Sequence, residues 1–308
     1  MSVFHVLAAA IAAGVLASSA PPVEGERPAR SAVSRTAWEE HHYSLTARVR
    51  PLALFWITRT DIGDAVVTRH REDGHAQYSL LIGSDPDRAP LRINRWGYLE
   101  EELHGSTARL VGLMTESEEE SMKDAEAHVR QAKRGRSTFR VIQATAEGET
   151  AWSRVSSLTT RDEYTYRHVQ TVLRLAQTAS AGQSRIVRLP PDTRAGFLAA
   201  IADAMHMPSA NPITYVYYGR LYELRRLRAD YVPDARIAGV SYGPAIAAEF
   251  LITSTYDGEQ TRFSMTYGAR GRFEEVPLRA TYQPRWWMQI ELTIDDGPAD
   301  VTTNGAMR

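Results

Sequence analysis

Residues 246–267, IAAEFLITSTYDGEQTRFSMTY, decide how this chain folds. Two apolar-rich runs flank Asp257-Gly258, a dipeptide suited to the tight turn of a β-hairpin. A two-residue loop there pairs Ile252 with Phe263, Phe250 with Met265 and Ala248 with Tyr267. In that register the large apolar side chains share one face, as a half-buried antiparallel sheet requires.

The same pattern continues outward. VPLRATY (276–282) and RWWMQIELTI (285–294) alternate, with Trp286, Met288, Ile290, Leu292 and Ile294 inward. Asp73-Gly74 marks a second hairpin, pairing Val67 with Leu80 and Ala65 with Ile82, and Glu147-Gly148 marks a third. LALFWI (52–57) has the length of a buried strand, and 213–229 fits either strands or a helix.

Three helices are expected. The first is capped by Thr115 and Glu118 and carries Met122, Ala125, Val129 and Ala132. The second has Thr160 and Glu163 as a capping box and a stripe of Tyr166, Val169, Leu173 and Ala176. The third opens at Pro190-Pro191-Asp192 and runs through Phe197 and Ile201 to before Pro208. The fold class is therefore α+β, mainly antiparallel β-sheet with about three helices. The organisation reads as an α+β region over 34–160, a helical section over 161–207, an antiparallel β region over 208–297 and a tail over 298–308.

At the N-terminus, Val6 to Leu16 is an apolar run too short to span a bilayer, followed by small residues offering cleavage after Ser19 or Ala20. Residues 1–20 thus read as a secretory signal peptide and 21–33 as a disordered spacer. The 308 residues contain no cysteine, which excludes disulfides, thiolate metal sites and cysteine nucleophiles. Together these imply a bacterial protein that is periplasmic or secreted. Lys+Arg 36 against Asp+Glu 37 gives no electrostatic basis for a nucleic-acid partner. No later stretch has the length and apolarity of a membrane span.

Two groups of residues point to chemistry. His70, Glu72, His75 and Gln77 project from one face of the Asp73-Gly74 hairpin, with Glu72 opposite His75, so they could converge on a metal such as zinc. The competing reading is a solvated hairpin tip. His41-His42 are adjacent on the chain and point apart. Gly239-Val240-Ser241-Tyr242-Gly243 matches the nucleophile elbow of serine hydrolases. That family needs a histidine after the serine, whereas the last one here is His206. Asp85-Pro-Asp-Arg reads as a turn. No cofactor-binding loop is present, so no cofactor is expected.

The run FSMTYGARGRFEEVPLRATYQPRWWMQIELTID (263–295) resembles the closing strands of exported bacterial lipoprotein-carrier-like half-barrels. The resemblance implies a curved sheet with helices on its concave side, able to hold an acyl chain. The leading expectation is thus non-catalytic binding of an apolar small molecule or lipid in the cell envelope. The alternatives are a metal-dependent enzyme at His70/Glu72/His75, a serine hydrolase at Ser241, or a structural or interaction module.

Overall fold

The computed structural model describes residues 38–49, 56–72, 74–89, 92–115, 137–161, 163–177, 179, 182–206, 211–285 and 288–296. The signal and spacer expected over 1–33, the first expected helix after Thr115, and most of LALFWI lie outside these residues. Thr115 itself ends a strand.

The described residues open with seven strands: β1 (Glu39–Val49), β2 (Ile57–Glu72), β3 (His75–Ser84), β4 (Trp96–His104), β5 (Thr107–Thr115), β6 (Ser137–Glu147) and β7 (Thr150–Thr160). Then come helix α1 (Val169–Ala176), β8 (Gln183–Arg188) and helix α2 (Phe197–His206). The remainder is β9 (Ile213–Tyr217), β10 (Arg220–Val232), a small hairpin of β11 (Arg236–Ile237) and β12 (Val240–Ser241), then β13 (Ala245–Ser254), β14 (Gln260–Gly268), β15 (Pro277–Arg285) and β16 (Met288–Ile294).

Fourteen strands form one antiparallel sheet in the order β8-β7-β6-β5-β4-β3-β2-β1-β16-β15-β14-β13-β10-β9. This is the mainly β, α+β architecture expected. It corrects the half-barrel expectation. The strands of 263–294 lie in the interior of an open sheet whose edges, β8 and β9, do not pair with each other.

The hairpin registers show where turn chemistry was read correctly. Ala65 faces Ile82 and Val67 faces Leu80, as the Asp-Gly signal predicts. Glu147 faces Thr150 across the third hairpin. The β13–β14 register differs by two residues: Phe250 pairs with Phe263, Ala248 with Met265 and Ile246 with Tyr267. The loop is longer than two residues because Ser254 N–H donates to Glu259 O, leaving four residues between them. Gly258 takes the left-handed conformation (φ +70°) that closes such a loop. A shift of two preserves the faces, so Phe250 and Phe263 still stack in the core, with centroids 4.9 Å apart.

Helix α2 is the centre of the main core. Phe197, Leu198, Ala200, Ile201 and Ala202 are fully buried, and a helix apolar on every side belongs in an interior. It packs against β3, β9 and β10. Its first N–H groups, from Phe197, Leu198 and Ala199, donate to the carboxylate of Glu101 on β4. A side chain 96 residues earlier thus caps the helix. The sequence signal Pro190-Pro191-Asp192 falls in the approach to α2, which starts only at Phe197.

The opposite sheet face is covered by a 3₁₀ turn (Tyr166–His168) leading into α1. Tyr166, Val172 and Ala176 pack on Trp96, Leu113, Phe139 and Val141. The residue flanking this turn is Thr165, not Thr160: Thr165 N–H donates to His168 Nδ1, while Thr160 ends β7. Residues 213–229, ambiguous in sequence, are strands β9 and most of β10. No helix among the described residues is long and apolar enough to cross a membrane.

Candidate metal centre

Strand alternation assigns each side chain of β2, β3 and β4 to one of two faces. Val67 and Leu80 face the α2 core. The alternate set, His70, Glu72, His75, Gln77, Glu102 and His104, faces the other way. In the registers, Glu72 pairs with His75, His75 with His104, and Gln77 with both His70 and Glu102. Three adjacent strands thus deliver three imidazoles and two carboxylates to one end of the sheet.

The ligand atoms of His70, Glu72 and His75 lie within 4.8 Å of one another, and so do those of His75, Glu102 and His104. His70 Nε2 is 3.6 Å from Glu72 Oε1. His75 Nε2 and His104 Nε2 are each 3.8 Å from Glu102 Oε1. These separations exceed those of hydrogen bonds. They approach the edge of a zinc tetrahedron, which for bonds of about 2.0–2.2 Å is roughly 3.3–3.6 Å.

Burial adds a second indication. His75 Nε2 and His70 Nδ1 are closed off from solvent and have no hydrogen-bond partner. An unmet polar atom in such a place is costly, by roughly 1–3 kcal/mol. For His75 Nε2, a cation at the centre of the cluster would supply the missing interaction. His70 is the least exposed of the set (12 %), while Glu72 on β2 and His104 on β4 are about half exposed, so solvent reaches the site from both sides. Trp38 stacks on His70 with centroids 4.8 Å apart, and the His75 and His104 rings meet edge to face at 3.9 Å.

The sequence grouping of His70, Glu72 and His75 is therefore brought together. Gln77 is not part of it, because its Nε2 donates to Glu100 Oε1 at 2.7 Å. Glu102 and His104 were missed. Their signal was the Gly105-Ser106 loop before Thr107, which makes His104 the last residue of a strand and puts Glu102 on its face.

The other candidates separate. His41 Nδ1 bonds to Asp296 and His42 Nε2 lies 3.0 Å from Glu40, on opposite faces of β1. Ser241 sits on β12, in a two-stranded hairpin turning at Ala238-Gly239, and its hydroxyl donates to Asp234. Both turn residues have positive φ, which identifies a hairpin and not the strand-to-helix elbow of a hydrolase. Asp85 forms the expected turn, accepting from Asp87 N–H at 3.0 Å.

No protein-family model, no curated protein and no solved structure matches this chain. The half-barrel resemblance accordingly has no counterpart in fold or in relatives.

Proposed function

We propose that this chain binds a divalent transition-metal ion, zinc in class, through His70, Glu72 and His75. The observation that supports this reading is the gathering of those ligand atoms within 4.8 Å. The nitrogen and oxygen donors suit zinc, nickel or copper better than magnesium or calcium. A set of three protein ligands leaves one coordination position for water, whose pKa a zinc ion lowers towards about 7. That is the chemistry open to the site. A cysteine-free ligand set also suits the oxidising compartment that the signal-like residues 6–16 imply.

The apolar-ligand expectation has less support. The main apolar face it would use is occupied by the protein itself, where α2 packs with nine of its ten residues buried.

The test is equilibrium dialysis of the full chain against zinc, with H70A and E72Q as variants. Retention by the wild type and reduced retention in H70A and E72Q is the expected result. A wild-type chain that retains no zinc overturns the reading.

A further inference from the structure

We propose that the centre takes two divalent ions, one on each side of His75, with the His75 imidazole bridging them. This rests on the single-ion reading and extends it to a second metal position formed by Glu102 and His104.

The donors fall into two foci. His70, Glu72 and His75 form one triad, and His75, Glu102 and His104 form the other. Among the described residues no four of them gather within the same span, so the donors divide into two sets of three. His75 belongs to both.

Strand order gives the reason. β3 lies between β2 and β4, so His75 has Glu72 directly across on one side and His104 directly across on the other. An imidazole carries two ring nitrogens that point away from each other, and an ion binding at the second nitrogen displaces its proton to solvent. The Nε2 atom lies 3.8 Å from Glu102 Oε1, without a hydrogen-bond partner. It serves the β4-side ion, and Nδ1 is left for the ion held by His70 and Glu72. Charge is also accommodated. Glu72, Glu102 and the deprotonated bridge offset most of the charge of two dications, and Glu100, bonded to Gln77 on the same face, adds a further carboxylate.

Native mass spectrometry of the full chain loaded with zinc reads the stoichiometry, with circular dichroism confirming that each variant is folded. The wild type is expected to carry two zinc ions, H70A one, H104A one and H75A none. One zinc in the wild type, lost in H70A and retained in H104A, overturns the bridge and leaves the single-ion reading standing. One zinc lost in H104A but kept in H70A overturns both, as does a wild type with none. Two ions that both survive H75A remove His75 from both positions and overturn the bridge and the single-ion ligand set together. Copper(II) gives a second readout: a bridged pair shows an exchange-coupled electron paramagnetic resonance spectrum, whereas two independent single-ion spectra refute the shared imidazole.

Discussion

The carboxylate of Glu101 lies so close to the position a β-carbon on Gly196 would take that the two would overlap. Gly196 also has φ +142°, a conformation L side chains rarely adopt. The glycine is thus what lets a strand carboxylate reach the first turn of α2. Gly196→Ala is expected to lower stability by about 2 kcal/mol or more through backbone strain and displacement of the cap. The midpoint of urea unfolding measures it, and an unchanged midpoint refutes this account.

Glu101 also makes stability depend on pH. Burial pushes its pKa up to about 7, although three backbone N–H groups pull the other way. The folded protein therefore takes up this proton more readily than the unfolded chain, whose carboxyl titrates near 4.5. The contribution of Glu101 is fully present below about pH 4.5 and is lost as pH rises through 7. Glu101→Gln removes the ionisation, so the difference in unfolding midpoint between wild type and variant should vary over that window. Parallel curves across pH 4.5–8 contradict it.

Acid should act oppositely at Asp64. Burial raises its pKa, but hydrogen bonds from Arg88 and Tyr166 outweigh burial and hold the carboxyl below its usual 3.8. Its contribution is present above the unfolded value and lost as pH falls through the depressed one. The Asp64 side chain is 38 % exposed, so solvent screening limits the effect. Asp64→Asn is expected to cost about 1 kcal/mol at pH 7, shrinking towards zero near pH 2. Thermal melts at the two pH values compare them.

Trp38 offers a reporter for the metal centre. Its ring lies parallel to His70 within 14°. Copper(II) bound at His70 should quench part of the tryptophan fluorescence, and Trp38→Phe should abolish that part. Zinc, with its filled d-shell, should leave the emission largely unquenched.

A zinc-bound chain should also resist heat. At about 100 times the dissociation constant a ligand specific for the folded state adds roughly 2.7 kcal/mol. For zinc that gain should disappear in H75A, which both metal positions require. A melting temperature raised equally in wild type and H75A would falsify binding at this centre.

Local pattern carried much of this fold into the sequence. The Asp73-Gly74 signal placed Glu72 opposite His75 correctly because a two-residue loop leaves the register no freedom. At Asp257-Gly258 the same rule put Ile252 opposite Phe263, two residues out. Alternation specifies a face, and a shift of two keeps every side chain on its face. The half-barrel resemblance failed for a different reason. A strand's sequence does not name its neighbour, and nothing in RWWMQIELTI indicates that β16 pairs with β1. The metal centre was half legible: His70, Glu72 and His75 share a hairpin, while Glu102 and His104 required the β3–β4 pairing across a loop of eleven residues between those strands. Glu101 was hidden altogether, since its partner lies 96 residues away.

The pairing of β1 with β16 bears on how the chain reaches this state. Tyr43 lies opposite Ile294 in the interior of the sheet, so the ladder joining its two halves is made by the beginning and the end of the described chain. Strands β1 to β8 can assemble from neighbours as they appear, and so can β9 to β16, but the two sets have no shared ladder until β16 arrives. Closing a loop of that length is entropically slow compared with forming a hairpin. Until it closes, β1 and β16 each present an unsatisfied edge, and those edges are where a nascent chain would recruit the wrong partner.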